Sequence, residues 1–248
     1  MSELDEKIER LQEMVDDSEK IVFFGGAGVS TESGVPDFRS TNGLYHQHYK
    51  YPPETILSHT FYETNREEFF RFYYDKILVD GVAPNKAHLK LAELERAGKM
   101  TAVVTQNIDG LHQKAGSRKV YELHGTVMKN YCEHCGAFYD LDFMMDQKKN
   151  GCLDPVCTKC GGPVKPDVVL YEEGLDNDTV TGAVRAIADA DMLIIGGTSL
   201  VVYPAAGLID YFRGKHLVVI NLQATDRDKH ADLVIESKIG EVLDRIKA

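Results

Sequence analysis

Lys20 to Gly43 reads "KIVFFGGAGVSTESGVPDFRSTNG". It begins as a continuous apolar run ending in glycines, the pattern of a buried strand. The polar, glycine-bearing loop that follows is long for a simple strand-to-helix connection, and such loops are usually functional or disordered. Strand-terminal glycines let backbone N–H groups approach a pyrophosphate, and a following helix N-terminus adds favourable partial charge. Gly26-Ala27-Gly28 fits that use, but the next glycine is Gly34, so the full G-x-G-x-x-G spacing is absent. On this stretch alone, a nucleotide loop and an ordinary turn both stay open.

Working outward, the runs "TAVVT", "KVYEL", "MLIIGG" and "HLVVIN" have the same strand character. They are interleaved with helical patterns at "VTGAVRAIADA" and "PAAGLIDYFRG", and "DLVIES" with a last helix closes the chain. Upstream, Leu4, Ile8, Leu11 and Val15 are spaced for an opening helix with one apolar face. Continuous apolar strands alternating with helices predict an α/β fold, a Rossmann-like parallel sheet covered on both faces. The expected body is 1–42, 86–127 and 166–248, interrupted by a helical insert at 43–85 and a cysteine-rich insert at 128–165. In the first insert Phe69, Phe72, Tyr73 and Lys76 or Ile77 form a helical stripe, read as a small layer packing its own core. "NKAHLKLAELERAG" is a helix ending in glycine, with His88 read as a structural histidine on its inward face.

The chain has 248 residues, 43% hydrophobic and 27% charged, which suits a soluble enzyme. No apolar run approaches the roughly 20 residues of a membrane helix. The N-terminus is acidic and amphipathic without a basic n-region, so no secretory signal is read there and a cytoplasmic location is expected. A net charge of −11 argues against a phosphate backbone as partner, so neither nucleic acid nor membrane is expected. A monomer is the default.

All five cysteines fall between Cys132 and Cys160. In a reducing compartment that clustering points to metal before disulfides. Cys132-x-x-Cys135 and Cys157-x-x-Cys160 are two knuckles whose thiolates would complete tetrahedral coordination of one zinc ion. A redox dithiol is the competing reading, but glycines beside both pairs favour knuckles. Four thiolates close the shell and leave no position for water, so the metal would be structural. Cys152 is then spare and His134 a passenger.

Other candidates are ambiguous as bare sequence. "TAVVTQNIDGLH" offers Gln106, Asn107 and Asp109 at a strand's carboxyl end, where open α/β sheets bind ligands, but a turn capped by Asn and Asp reads equally well. His124 follows "KVYEL", and a lone histidine there is more often structural than catalytic. "PDVVLYEE" and "SLVVYPAA" read as buried sheet or as the edges of a substrate cleft.

Six segments taken together carry more weight. "GAGVSTESGVPDFR", "TQNIDGLHQKAG", "ELHG", the pair "CEHC" and "CTKC", "KPDVVLYEE" and "GTSLVVYPAA" occur in the order and approximate spacing of the sirtuins, the NAD-dependent protein-lysine deacylases. The resemblance covers about Glu19 to Leu222 and is to the compact bacterial type. It implies NAD as a consumed co-substrate, an acyl-lysine protein or peptide as partner, and His124 as general base. Its further implications place Gly26, Ala27, Gly28, Ser30 and Thr31 at the cofactor, with Asp37 and Arg39 ordering the closed site and Phe38 shielding the ribose C1′. Gln106 and the catalytic Asn107 would lie beside the ribose hydroxyls and the attacking water, with Ile108 and Asp109 at the carboxamide. Gly197, Thr198, Ser199, Asn221 and Leu222 would meet phosphate and the adenosine ribose, and Ile239 the adenine. Val168, Leu170, Tyr171, Val202 and Tyr203 would flank the substrate, which adds as a strand between two edges.

The implied reaction yields nicotinamide, 2′-O-acyl-ADP-ribose and free lysine. An ADP-ribosyltransferase is the rival that keeps NAD. A non-enzymatic zinc-ribbon module attached to a nucleotide-sensing domain is the rival from another class, and it leaves "QNID" and "HG" unexplained. A hydride-transfer dehydrogenase is disfavoured by the missing third glycine. Two positions depart from the family pattern: Gly25 stands where threonine is common, and Glu172 where glycine is common.

Overall fold

The computed structural model describes residues 2–38, 43–47, 49–79 and 81–248. Helix α1 (Glu3–Asp16) starts at a reciprocal capping box between Ser2 and Asp5, and buries Ile8, Leu11, Met14 and Val15. Five more strands pair parallel with or through the central β1 (Ile21–Gly25): β2 (Met100–Thr105), β3 (Val120–Glu122), β7 (Met192–Gly196), β8 (His216–Asn221) and β9 (Leu233–Glu236). Their order is β3-β2-β1-β7-β8-β9. Strand order therefore reverses between β1 and β7, and the crevice outside their carboxyl ends is the place such sheets offer a ligand.

Side-chain alternation divides the core between the two faces of the sheet. Ile21, Phe23 and Ile194 pack with α1, α5 (Lys86–Arg96) and α9 (Ile239–Leu243). Val22, Phe24, Leu193 and Ile195 pack with α8 (Asn177–Ala188) and the 3-10 helix Ala205–Tyr211. Each such side chain, fully buried, contributes about 1.5–3 kcal/mol. Helix α6 (Leu111–Ala115) follows β2.

A second sheet is antiparallel, ordered β5-β4-β6, from β4 (Gly125–Cys132), β5 (Phe138–Asp140) and β6 (Val164–Val168), with α7 (Leu141–Lys149). Helices α2 (Pro53–Ile56), α3 (His59–Thr64) and α4 (Arg66–Phe72) share one apolar cluster with it, including Phe69, Phe70, Tyr73, Val127, Met144, Val164 and Leu170. The helical and cysteine-rich inserts thus build one small lobe beside the parallel body.

Several local expectations change. The aromatic helix does not keep one stripe: α4 passes into a π-helix at Tyr73–Ile77, whose extra residue per turn rotates the face so that Phe70 and Tyr74 are buried as well. "PAAGLIDYFRG" forms a 3-10 rather than an α-helix. "SLVVYPAA" contains no strand, because Leu200 adopts φ 56 and Pro204 lacks a ladder donor; Tyr203 is 66% exposed. "KVYEL" ends as a strand at Glu122, and Leu123-His124 form the turn into β4.

His88 on α5 is wholly buried and faces His112 of α6, ring centroids 4.7 Å apart. Its Nδ1 accepts from the Asn85 N–H at 3.3 Å. Burial holds both imidazoles neutral, pushing His88 down and His112 down to about 3. Below the unfolded value near 6.5 the unfolded chain takes up protons that the folded pair refuses, so stability falls with pH from there until the folded pKa values are reached. Urea unfolding should show a loss of roughly 2 kcal/mol per histidine between pH 7 and about pH 5. His112→Leu should flatten that dependence; an unchanged slope would contradict the assignment.

Candidate active site

The carboxyl ends of β1 and β7 lie side by side, with Gly25 opposite Gly196. Beyond them the two loops interlock: the Gly28 N–H donates to the Gly197 carbonyl at 2.8 Å, and a Cβ on Gly28 would stand 2.8 Å from the Gly197 Cα. Only glycine permits that approach. The Asn221 side chain at the end of β8 braces the second loop, accepting from the Thr198 N–H (3.0 Å) and donating to its carbonyl (3.1 Å). Gln106 Nε2 donates to Thr198 Oγ1 at 3.0 Å, joining the β2 end to the same point.

The loop after β2 is fastened to the loop after β1 through Ser30. Its hydroxyl donates to Asp109 Oδ2 at 2.6 Å and accepts from Asn107 Nδ2 at 3.0 Å. Asp109 Oδ1 also accepts from the Leu111 N–H, at 2.9 Å, so the turn-capping reading and the ligand-facing reading share one carboxylate. Two acceptor positions are used, and an ionised carboxylate has about four.

His124 stands at the junction of the two sheets. Its Nδ1 lies 3.0 Å from the Gln106 carbonyl, which can only accept, so Nδ1 carries the proton and Nε2 keeps its lone pair. Burial is the main cause that lowers its pKa from the ordinary imidazole value, partly offset by that hydrogen bond. The ring is therefore neutral near pH 7 and able to accept a proton.

These groups line one cavity of about 560 Å³ between body and small lobe. Gly26, Ala27, Gly28, Ser30, Thr31, Asp37 and Phe38 line it from the loop after β1, and Gln106, Asn107, Ile108, Asp109 and His124 from the segments after β2 and β3. Gly197, Thr198, Ser199, Asn221, Leu222 and Ile239 extend it along the body. Val168, Leu170, Tyr171, Val202 and Tyr203 line it as well. Arg39 lies outside the described residues. Sequence reasoning missed Glu32, which lines the cavity and caps α9 by accepting from the Gly240 N–H at 2.7 Å, and Tyr45, bonded to Tyr171. Neither pairing leaves a local signal, since the partners are far apart in the chain.

The four knuckle cysteines come together at the far end of β4. All four sulfurs lie within 4.8 Å of one another, with Cys132 and Cys160 at 3.4 Å and Cys135 and Cys157 at 3.6 Å. Tetrahedral zinc with bonds of about 2.3 Å sets its sulfurs about 3.8 Å apart, so this donor set fits one zinc ion. The Lys159 N–H approaches Cys157 Sγ and the Gly162 N–H Cys160 Sγ, each at 3.4 Å, and such donors stabilise thiolates. Cys152 and His134 are not part of the group.

Comparison with known proteins gives a consistent result. The sequence profile of the Sir2 family matches residues 26–204. The chain is similar to an NAD-dependent protein deacetylase of Clostridium perfringens, 58% identical over 98% of this chain and 99% of that one. A relative of the same description in Clostridium acetobutylicum is 56% identical, covering 97% and 98%. Among solved structures, a Sir2 with a p53 peptide and NAD+ superposes with a TM-score of 0.85 at 37% identity, covering 96% of each chain.

Two outcomes test the assembly. Gly125 has φ 74, and a Cβ there would lie 2.0 Å from the Asp167 carbonyl oxygen, so Gly125→Ala should lose roughly 2–5 kcal/mol in chemical denaturation. Wild-type stability in that variant would contradict the junction described. Cys135→Ala should lose zinc and melt lower, while Cys152→Ala keeps one zinc per chain by metal analysis; full zinc in Cys135→Ala would refute the ligand set.

Proposed function

The chain belongs to the Sir2 family, and from that premise we propose that its cavity is where an acyl-lysine and NAD meet. The protein is an NAD-dependent protein deacetylase. The observation that carries the assignment of roles is the convergence of a neutral His124, its Nε2 unblocked, with the interlocked glycine loops at the strand-order reversal.

NAD supplies an electrophilic ribose carbon, with nicotinamide as its leaving group. The backbone of Gly26 to Gly28 and the Thr198-Ser199 loop would hold the pyrophosphate and adenosine halves. Ile108 and Asp109 would hold the carboxamide, and Asn107 the ribose side. A lysine amide oxygen is a weak nucleophile, so confinement against that carbon must supply much of the rate. Val168, Leu170 and Val202 provide an apolar channel for it, and Phe38 excludes water. His124 Nε2 would then accept a proton from a ribose hydroxyl as that oxygen attacks the acyl carbon, and one water added to the same carbon would let the C–N bond break, leaving the acyl group on the sugar and the lysine free. The zinc would have no part in these steps: four cysteine ligands leave it no open position, and its work is to hold the small lobe.

The partner is a protein or peptide presenting acyl-lysine along the cleft between Tyr171 and Tyr203. Main-chain pairing would give affinity with little sequence selection. Among the described residues no helix is long and apolar enough to cross a membrane, and a cytoplasmic setting, where thiols stay reduced, suits the cysteine cluster.

Incubated with NAD and an acetyl-lysine peptide, the protein should release nicotinamide and 2′-O-acetyl-ADP-ribose in equal amounts, followed by mass spectrometry. Absence of acyl-ADP-ribose with every common acyl group would sink the proposal. His124→Ala should fold and keep zinc yet lose about 10²–10⁴-fold in turnover. For the wild type, kcat/KM should fall on the acid side as His124 protonates, with a midpoint below the free imidazole value of about 6.5.

A further inference from the structure

Glu172 lines the cavity at a position where glycine is common in the family, and its backbone keeps the conformation that suits glycine, with φ 78. The cause lies in the neighbouring hydrogen bonds. The Val169 N–H donates to the His124 carbonyl at 2.9 Å, and the Tyr171 N–H to the Leu57 carbonyl at 2.9 Å. The Tyr171 carbonyl accepts from the His59 N–H at 3.0 Å, which makes Tyr171 a strand-like bridge to Ser58. The Glu173 N–H then donates to the Leu170 carbonyl at 3.1 Å, closing a turn in which Glu172 is the third residue. Type II turns take a positive φ at that place and prefer glycine there. A residue with a Cβ is strained in this conformation, and retained strain beside a ligand cavity points to a use for the side chain.

The carboxylate of Glu172 is half engaged. Oε2 accepts from both the N–H (2.9 Å) and the hydroxyl (2.7 Å) of Thr60, whereas Oε1 has no partner among the described residues. The Thr60 bonds also lower the pKa of the group, so it is charged near pH 7. Glu173 differs. It accepts from the Leu170 N–H at 2.8 Å and from Lys165 Nζ at 3.2 Å, and it meets His59 Nδ1 at 2.9 Å. Its charge is answered inside the small lobe. Glu32 and Asp109, which also line the cavity, are taken up by the Gly240 N–H and by Ser30 with the Leu111 N–H. Glu172 is thus an exposed anion held at a fixed place beside Val168, Leu170 and Tyr171, with one oxygen open.

The geometry points to Glu172 as a specificity-determining residue that favours acyl-lysine substrates carrying an arginine or lysine within two residues of the acylated one. This inference rests on the deacetylase reading of the cavity, with the peptide lying along its cleft. A peptide strand beside this segment would run about 4.8 Å from it, where side chains of opposite charge on the two chains pair. Main-chain pairing itself reads little sequence, so a fixed carboxylate supplies the discrimination. A guanidinium or ammonium group would meet Oε1 without displacing Thr60. An exposed pair of this kind gives about a twofold to fivefold preference. The contact lies away from the reacting atoms, so it acts alike on ground and transition states and appears in KM, not in kcat.

The test is steady-state kinetics on acetyl-lysine peptides that differ only in carrying Arg, Gln or Glu at one of the two places on either side of the acetyl-lysine. At one or more of these places, wild type should favour Arg over Gln about twofold to fivefold in kcat/KM, through KM. In Glu172→Gln, whose amide oxygen still accepts from Thr60, that ratio should fall to about one. In Glu172→Lys it should drop below one, with Glu now the preferred residue. Circular dichroism shows whether each variant is folded. A preference for Arg kept in folded Glu172→Gln would belong to the net charge of −11 and overturn the role of Glu172. Wild type without any preference, or with one carried by kcat alone, would overturn it equally. If folded wild type turns over none of the peptides and releases no nicotinamide, the deacetylase reading falls, and this specificity with it.

Discussion

The structure depends on how the chain leaves β3. Within two residues, Leu123 and His124, it passes from a parallel strand into an antiparallel one, and Gly125 makes the turn possible by its positive φ and its contact with Asp167. The consequence is a shared strand pair. Gly125 pairs with Val168 at one end of the β4–β6 ladder, and Cys132 pairs with Val164 at the other. The Val169 N–H donates to the His124 carbonyl at 2.9 Å. The imidazole and the cysteine cluster are thus opposite ends of one ladder, and the cysteine end sets the small lobe against which the cleft forms.

The body contributes a complementary constraint. Reversal of strand order puts two glycine loops against each other, and Thr198 accepts hydrogen bonds from Gln106 and Asn221 and donates one to Asn221. Ser30 ties the first loop to Asn107 and Asp109. The polar groups that the sequence presents as separate segments are, in the fold, one connected floor. Such pre-arranged dipoles need little reorganisation when charge develops during reaction.

The body was legible because its strands are buried on both faces and read as unbroken apolar runs such as "TAVVT" and "HLVVIN". The cysteine pairs were legible because their spacing is itself the chemistry. The small sheet was less so: β4 alternates irregularly between buried and exposed residues, and β6 carries Pro166. "SLVVYPAA" reads as buried sheet or as a cleft edge; it forms no ladder, and Val202 lines the cavity. The two departures from family pattern have visible surroundings. A Cβ at Gly25 would meet the Phe23 ring at 2.4 Å, and Glu172 uses its carboxylate to cap α3 through Thr60. Long-range pairs such as Ser30–Asp109 and Tyr45–Tyr171 leave no pattern in the chain, since nothing local marks them.

What the fold delivers to the chemistry is one imidazole with its donor side occupied and its acceptor side presented to the cavity. The Gln106 carbonyl fixes the tautomer, and burial keeps the ring neutral. The most direct measurement is the nitrogen NMR spectrum of the His124 ring across a pH titration. The account predicts a proton on Nδ1, none on Nε2 at neutral pH, and titration below the usual imidazole range. A proton found on Nε2 at neutral pH, or a ring already charged there, would contradict it.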